Sequence, residues 1–336
     1  MSEGREGSEE FLGRHTALSL VAQKPRIWRR IRYLKDNEGR APPLILAVGD
    51  RRRVYTIARK LQGPVLLPEI SARLSNPRLS SEHLPSASEF GRIAMAIGTI
   101  NSLPMLIVET QMGSPATQIV MNEILSDKLT NNEYHLGSKR VALSQKTVIR
   151  VGTAGGINCE GSPPVKVGDV VNATHSIGAT GATIQALSRL DFWSPGIYEE
   201  FQSNWNRLGP DFTVTQGGHP RVECSRETIA AIEEAGKRFA KGAYHAGGNV
   251  TKDSLYAERS NDIFMELCRT ENCRTTEMEL SAIGVAARQH RASFGMVSAI
   301  VGVLPGSSFA EDQKTRKVAE DRALDVGLGA LTGLVE

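Results

Sequence analysis

Apolar residues along this chain come in two rhythms, short solid runs and longer stretches with one apolar face. Their alternation predicts strands and helices in turn. Leu44–Val48 is a solid run that breaks at Gly49-Asp50, and from Arg51 to Leu61 the residues Val54, Ile57, Ala58 and Leu61 recur at helical spacing. This reads as a strand, a glycine turn and a helix. Leu66 to Phe90 is polar and proline-spotted and reads as a long loop, and Ile93–Ile97 and Leu103–Val108 as two strands around a turn at Gly98–Ser102. Ser114 suits an N-cap and Pro115 the first helical position, with Ile119, Val120, Ile124 and Leu129 as the apolar stripe behind them. Val148–Asn158 starts as a buried strand and breaks into Gly-Thr-Ala-Gly-Gly, a predicted tight turn. Val165–Ala173 leads through Gly168-Asp169 into another strand, and Thr180 to His219 is loop-rich, with Phe192, Trp193, Tyr198, Phe201 and Trp205 clustered as satellite core or a lid. Beyond it come a helix capped by Ser225, a strand at Tyr244–Val250, a helix opened by Thr275–Leu280, a strand at Ser293–Val303 and a last helix from Glu311. Strands alternating with helices predict one α/β domain with helices on both faces of the sheet.

Composition narrows the classes without naming a function. The 336 residues are 40% hydrophobic and 23% charged, those of a folded globular chain, and a net charge of +3 is too balanced for a polyanion-binding protein. The basic stretch Lys24–Arg32 encloses Trp28, but its charge is not echoed elsewhere. It reads as a solvated insertion rather than a nucleic-acid or membrane contact. Residues 1–12 read as a disordered tail with no signal-peptide core, and the apolar runs are too short to span a bilayer. Cys159, Cys224, Cys268 and Cys273 lack metal-ligand spacing, so neither zinc nor a disulfide framework is expected. A reduced, cytoplasmic setting follows.

Three places carry candidate chemistry. Arg150 lies in an otherwise apolar strand, where a guanidinium is costly unless it meets an anion. An internal ion pair and a ligand cradle are equally consistent with it. Gly49, with Arg53 in the first turn of the following helix, makes a ready anion site, although neither a Walker loop nor a dinucleotide fingerprint is present. Glu277-Met278-Glu279 opens a helix with two acids around a thioether. Dipole-matching acids with a core methionine, or a carboxylate-and-thioether sugar site, both fit.

Four of these segments, in order across most of the chain, resemble the nucleoside phosphorylase family, and most of all its uridine phosphorylases. Val48-Gly49-Asp50-Arg51-Arg52-Arg53-Val54 is similar to that family's phosphate turn, Met112-Gly113-Ser114-Pro115 to its Gly-Met-Gly helix start, Ile149–Gly156 to its Ile-Arg-x-Gly-Thr-x-Gly signature, and Glu277-Met278-Glu279 with Ala282 to its ribose motif. The resemblance implies a three-layer α/β/α single domain over residues 13–336, around a mixed and partly barrel-like sheet, with an insertion at about 22–43. It implies phosphate held by Gly49, Arg53, Arg150 and Thr153, ribose by Glu277, Met278, Glu279 and His15, and base lined by Gly155, Glu258 and Arg259. Arg150, Arg53 and Glu279 would be catalytic. No cofactor is implied beyond inorganic phosphate as co-substrate. Glu89 is similar to a glutamate that binds a structural cation at a dimer interface. The implied assembly is a homodimer or a hexamer of dimers, with no nucleic-acid or membrane partner.

Departures shape the functional expectation. The uracil-reading stretch of the family is replaced by Leu255-Tyr256-Ala257-Glu258-Arg259, without its glutamine, and Arg51 replaces a proline. The strand end Val301-Gly302-Val303-Leu304 carries neither the arginine of the uridine branch nor the aspartate that protonates a purine. Arg73 or Arg92 would have to complete the phosphate site. The expected activity is phosphate-dependent cleavage of a pyrimidine nucleoside, uridine foremost. A purine phosphorylase or nucleosidase on the same fold, and a turnover-deficient binding subunit, stand as alternatives.

Overall fold

A computed structural model describes residues 41–67, 93–101, 103–125, 133–136, 139–142, 145–188, 195–253, 261–304 and 313–334. The predicted tail and most of the predicted insertion lie outside them. The described residues group into two compact units. One is drawn from residues up to Gln111, from Ile119–Thr147 and from His290–Ala292; the other from Met112–Gln118, Val148–Gln289 and the chain from Ser293 onward.

In the first unit the solid run Leu44–Val48 forms β1, buried at all five positions. Asp50 ends the turn and caps helix α1 (Arg51–Ala58), its Oδ1 accepting from the backbone N–H groups of Arg52 and Arg53 at 2.8 and 3.3 Å. Strands β2 (Gln62–Leu67), β3 (Met95–Ile100) and β4 (Leu103–Glu109) complete a sheet in the order β2–β3–β4–β1, with β1 parallel to β4 and the other pairs antiparallel. The turn expected at Gly98–Ser102 is therefore tighter, because β3 pairs through Gly98 as far as Ile100. Helix α2 (Ser114–Leu125) begins in the second unit and ends in the first, which also holds a hairpin of β5 (Glu133–Leu136) and β6 (Lys139–Ala142).

The second unit is organised around a closed ring of strands. Strand β7 (Thr147–Ile157) pairs with β12 (Cys273–Glu277), β12 with β11 (Tyr244–Thr251), β11 with β8 (Val170–Ile177), and β13 (Ser293–Leu304) closes the ring by pairing with both β8 and β7. Parallel and antiparallel neighbours mix, and β10 (Pro220–Glu223) and β9 (Phe212–Val214) extend the sheet from β8. The helices pack outside the ring. Helices α5 (Arg226–Phe239) and α8 (Gln313–Gly333) lie on each other and on β8 and β13, α6 (Asn261–Thr270) on β12, and α7 (Leu280–Gln289) on β13. This is the mixed, barrel-like α/β sheet that the resemblance implies. No helix among the described residues is long and apolar enough to cross a membrane, and all four cysteines are free thiols.

Two sequence expectations change here. The loop-rich reading of Thr180 to His219 gives way to helices α3 (Gly181–Leu187) and α4 (Ile197–Arg207) and strand β9. Thr180 and Thr183 form a capping box at the start of α3. The buried face of α4 is only Ile197, Phe201 and Trp205, and Trp205 stacks edge-on with Phe212 at 5.0 Å. That stack is core; Phe192 and Trp193 fall outside the described residues.

The second change concerns the glycines after Arg150. The strand does not end in a turn there but runs through to Ile157, with Gly155 and Gly156 paired to Thr276 and Thr275 of β12. They serve close packing instead. A Cβ on Gly156 would lie 3.0 Å from Ile300 Cγ2 and 3.1 Å from Val165 Cγ1. Overpacking of this kind costs about 1–3 kcal/mol, so Gly156→Ala is expected to lower the urea midpoint by that much stability with an unchanged slope. An unaltered midpoint would show that Ile300 and Val165 yield freely.

Candidate active site

The buried strand β7 carries Arg150 into the second unit, and the guanidinium meets a carboxylate there. Arg150 Nη2 lies 2.8 Å from Glu279 Oε2, with the two side chains only 5% and 6% exposed. A second donor reaches the same carboxylate, the backbone N–H of Gly113, 2.7 Å from Glu279 Oε1. Gly113 holds φ +88, in the left-handed region that glycine tolerates best. Ser114, read from sequence as an N-cap, instead donates from Oγ to the carbonyl oxygen of Met278 at 2.6 Å. The start of α2 thus holds the Glu-Met-Glu segment at two points. Met278 is half-buried, between two buried glutamates.

The two glutamates look alike in sequence and differ in their surroundings. Glu277 Oε1 accepts from Asn249 Nδ2 and Thr251 Oγ1, both at 2.7 Å. Its Oε2 accepts from the backbone N–H groups of Glu279 and Leu280, at 2.7 and 2.9 Å. Four bonds match the roughly four acceptor positions of a carboxylate. On Glu279 each oxygen carries one such bond, from Gly113 or Arg150, and keeps acceptor capacity. Burial, followed by the charge of Glu279, pushes the Glu277 carboxyl up to about 7, against the Thr251 and Asn249 hydrogen bonds and the charge of Arg150.

The sequence profile of the phosphorylase superfamily matches residues 67–332. The chain belongs to that superfamily. It is similar to proteins named uridine phosphorylase: one from Treponema pallidum (strain Nichols) is 27% identical over 247 residues, 71% of this chain and 76% of that protein. Another, from Haemophilus influenzae, is 29% identical over 120 residues, 36% and 37% of the two chains. The crystal structure of a purine nucleoside phosphorylase from Toxoplasma gondii, in complex with immucillin-H, superposes with a TM-score of 0.57 over 88% of this chain and 92% of that one. At 17% identity that likeness is one of fold.

Within this phosphorylase frame the structure brings together Arg150, Glu279, Glu277 and Met278, and adds Gly113 and Ser114. Thr153 and Gly155 stand further along β7, half-buried. Gly49 and Arg53 belong to the first unit and precede the profile-matched range. Asp50 takes the amides of Arg52 and Arg53, and its Oδ2 lies 3.4 Å from Arg53 Nε, so an anion would compete with a carboxylate already in place. Arg51, where the family pattern has proline, pairs with the buried Glu109 at 3.3 Å. His15, Glu89, Glu258 and Arg259, with Arg73 and Arg92, lie outside the described residues. The roles of Asn249 and Thr251 went unread; the signal was a polar–apolar–polar triplet inside a buried strand.

Removing one partner from a buried ion pair leaves an uncompensated charge and costs about 3–5 kcal/mol. Arg150→Ala is expected to lose that much stability to chemical unfolding, and Arg150→Ala with Glu279→Ala to regain part of it. Simple additivity of the two single losses would mean that the pair is not coupled.

Proposed function

We propose that this chain catalyses phosphate-dependent cleavage of a pyrimidine nucleoside, with uridine and phosphate giving uracil and ribose 1-phosphate. The observation that carries the reading is the buried Arg150–Glu279 pair, one cation and one unsaturated carboxylate at a single point of a phosphorylase fold. A guanidinium fork can bridge a carboxylate and a phosphate together. Glu279 would then accept from sugar hydroxyls, while Arg150 holds the anion that attacks C1′. The half-buried Met278 would pack its thioether on the apolar face of the sugar. In the reaction a phosphate oxygen forms a bond to C1′ and the bond from C1′ to the base nitrogen breaks. The leaving base takes that electron pair and then a proton, the one that hydrogen phosphate gives up on becoming the sugar ester, passed directly or through water. With an anionic nucleophile and a cationic sugar-like transition state, placement of charge supplies much of the acceleration.

Two observations support pyrimidine over purine. The two relatives matched by sequence carry the name uridine phosphorylase. The end of β13, Val301 to Leu304, offers no carboxyl to protonate a purine ring. Arg53 and Gly49, with Thr153, are proposed phosphate contacts on the resemblance, and Gly155 a base contact. A homodimer, or a hexamer of dimers, belongs to the same proposal.

Uridine, thymidine, inosine and adenosine incubated with the pure protein, with and without phosphate, test this directly. Uracil release only with phosphate is the expected result. Equal release without phosphate would establish a nucleosidase, and release from inosine alone a purine enzyme. Arg150→Lys keeps the charge and loses the planar fork, and it should reduce kcat/KM for phosphate by about 10²-fold. Near-normal turnover in that variant would place the phosphate elsewhere.

A further inference from the structure

We propose that Glu277 is the positioning residue of the sugar site: it touches no substrate, and it fixes the main chain of Met278–Leu280 so that Glu279 faces Arg150 and the Gly113 amide. This rests on the reading of Glu279 as the sugar carboxylate. The argument is one of hydrogen-bond capacity. Glu277 is 5% exposed, and its acceptor positions are filled by Asn249, Thr251, and the amides of Glu279 and Leu280. A sugar hydroxyl would have to displace one of these donors and leave it buried and unpaired, at a cost exceeding the gain of a single bond. The two amides that Glu277 Oε2 engages are the first ones at the start of α7, so the side chain also caps that helix.

The donors are themselves held. Thr275 Oγ1 donates to Asn249 Oδ1 at 3.0 Å, which fixes which end of the amide faces Glu277. Ser176 Oγ lies 2.7 Å from Thr251 Oγ1, and the Ser281 amide donates to the same hydroxyl at 3.2 Å. Ser176, Asn249, Thr275 and Ser281 are fully buried. A polar network satisfied at this depth is rigid, because every alternative arrangement leaves an orphaned group. Glu279 and Arg150 face Glu277 from the helix start and from β7, and the Cys224 thiol does so from the segment after β10. The charge of Glu279 therefore adds to burial in raising the proton affinity of Glu277.

Glu277→Gln preserves shape but must turn its NH₂ either toward the main-chain amides of Glu279 and Leu280 or toward the Asn249 NH₂, all of which only donate. Expected results are a rise of about tenfold or more in KM for uridine, with a smaller change in KM for phosphate, and loss of the wild-type titration near neutrality from the pH profile of kcat/KM. A lower melting temperature with both Michaelis constants and the pH profile unchanged would show a purely structural glutamate and overturn the proposal. Should that variant fail to fold, Thr251→Val and Thr251→Ser decide. Valine should shift the uridine KM in the same direction and serine should restore it; equal behaviour of the two would overturn the role.

A readout independent of turnover separates this proposal from the assigned reaction. A carboxyl raised from 4.5 to about 7 by folding binds its proton more tightly in the folded state. Its contribution to stability is complete below pH 4.5 and is lost as pH rises through 7. The fall in stability over that window should be shallower in Glu277→Gln than in wild type. The amides of Glu279 and Leu280 should exchange slowly with deuterium in wild type and at least tenfold faster in the variant. Slow exchange with no base released from any nucleoside would keep the positioning and sink the uridine reading. Fast exchange in wild type would sink the positioning, whatever the enzyme turns over.

Discussion

A guanidinium and a carboxylate 2.8 Å apart, both almost without water contact, set the terms for the second unit. Taking two such charges out of water costs several kcal/mol per ion, and their attraction offsets this only when further hydrogen bonds satisfy both groups. The neighbouring chain is shaped to that requirement. Gly113 adopts a left-handed conformation that presents its amide to Glu279, and Ser114 spends its hydroxyl on the Met278 carbonyl instead of its own helix. Around Arg150 the strand is apolar and buried, from Val148 to Gly152. Such an arrangement is weak as a source of stability and strong as a means of holding opposite charges ready in a dry place.

The neighbouring carboxylate solves a different problem. The Glu-Met-Glu segment joins the end of β12 to the start of α7, so it must satisfy strand ending and helix capping within three residues. One glutamate does this with four bonds to protein donors, and the other is left with capacity to spare. Nature of side chain alone does not separate these tasks. The donors arriving from β11 do.

The alternation of solid and periodic apolar runs made most of the architecture legible, because an interior strand and an amphipathic helix must bury different spacings. Arg150 was legible as an anomaly, a charge inside an apolar strand. The glycines after it were not, since glycine serves both positive-φ turns and close packing. Only the positions of Thr275, Thr276 and Ile300 decide that here it is packing. Helix α4 was obscured because its buried face is three large residues spaced four apart, two of them aromatic, in a polar background. Glu277 and Glu279 were indistinguishable for want of any local signal, since Asn249 and Thr251 lie 28 and 26 residues upstream of Glu277.

The polar network beneath the site also acts on assembly. Its members come from β8, β11 and β12, and β11 pairs in parallel with both neighbours. Where parallel strands are apolar on both faces, as is common, they say little about their own alignment. Ladder hydrogen bonds alone would tolerate a slip by one residue. Here a slip would turn Asn249 and Thr251 away from Glu277 and strand a charge in the core. Irregularities in the β11 ladders fall at Gly247–Asn249, where the chain adjusts to bring that amide into place. The buried carboxylate is thus a checksum for strand alignment: the ring of strands closes at low energy only in the register that also completes the site.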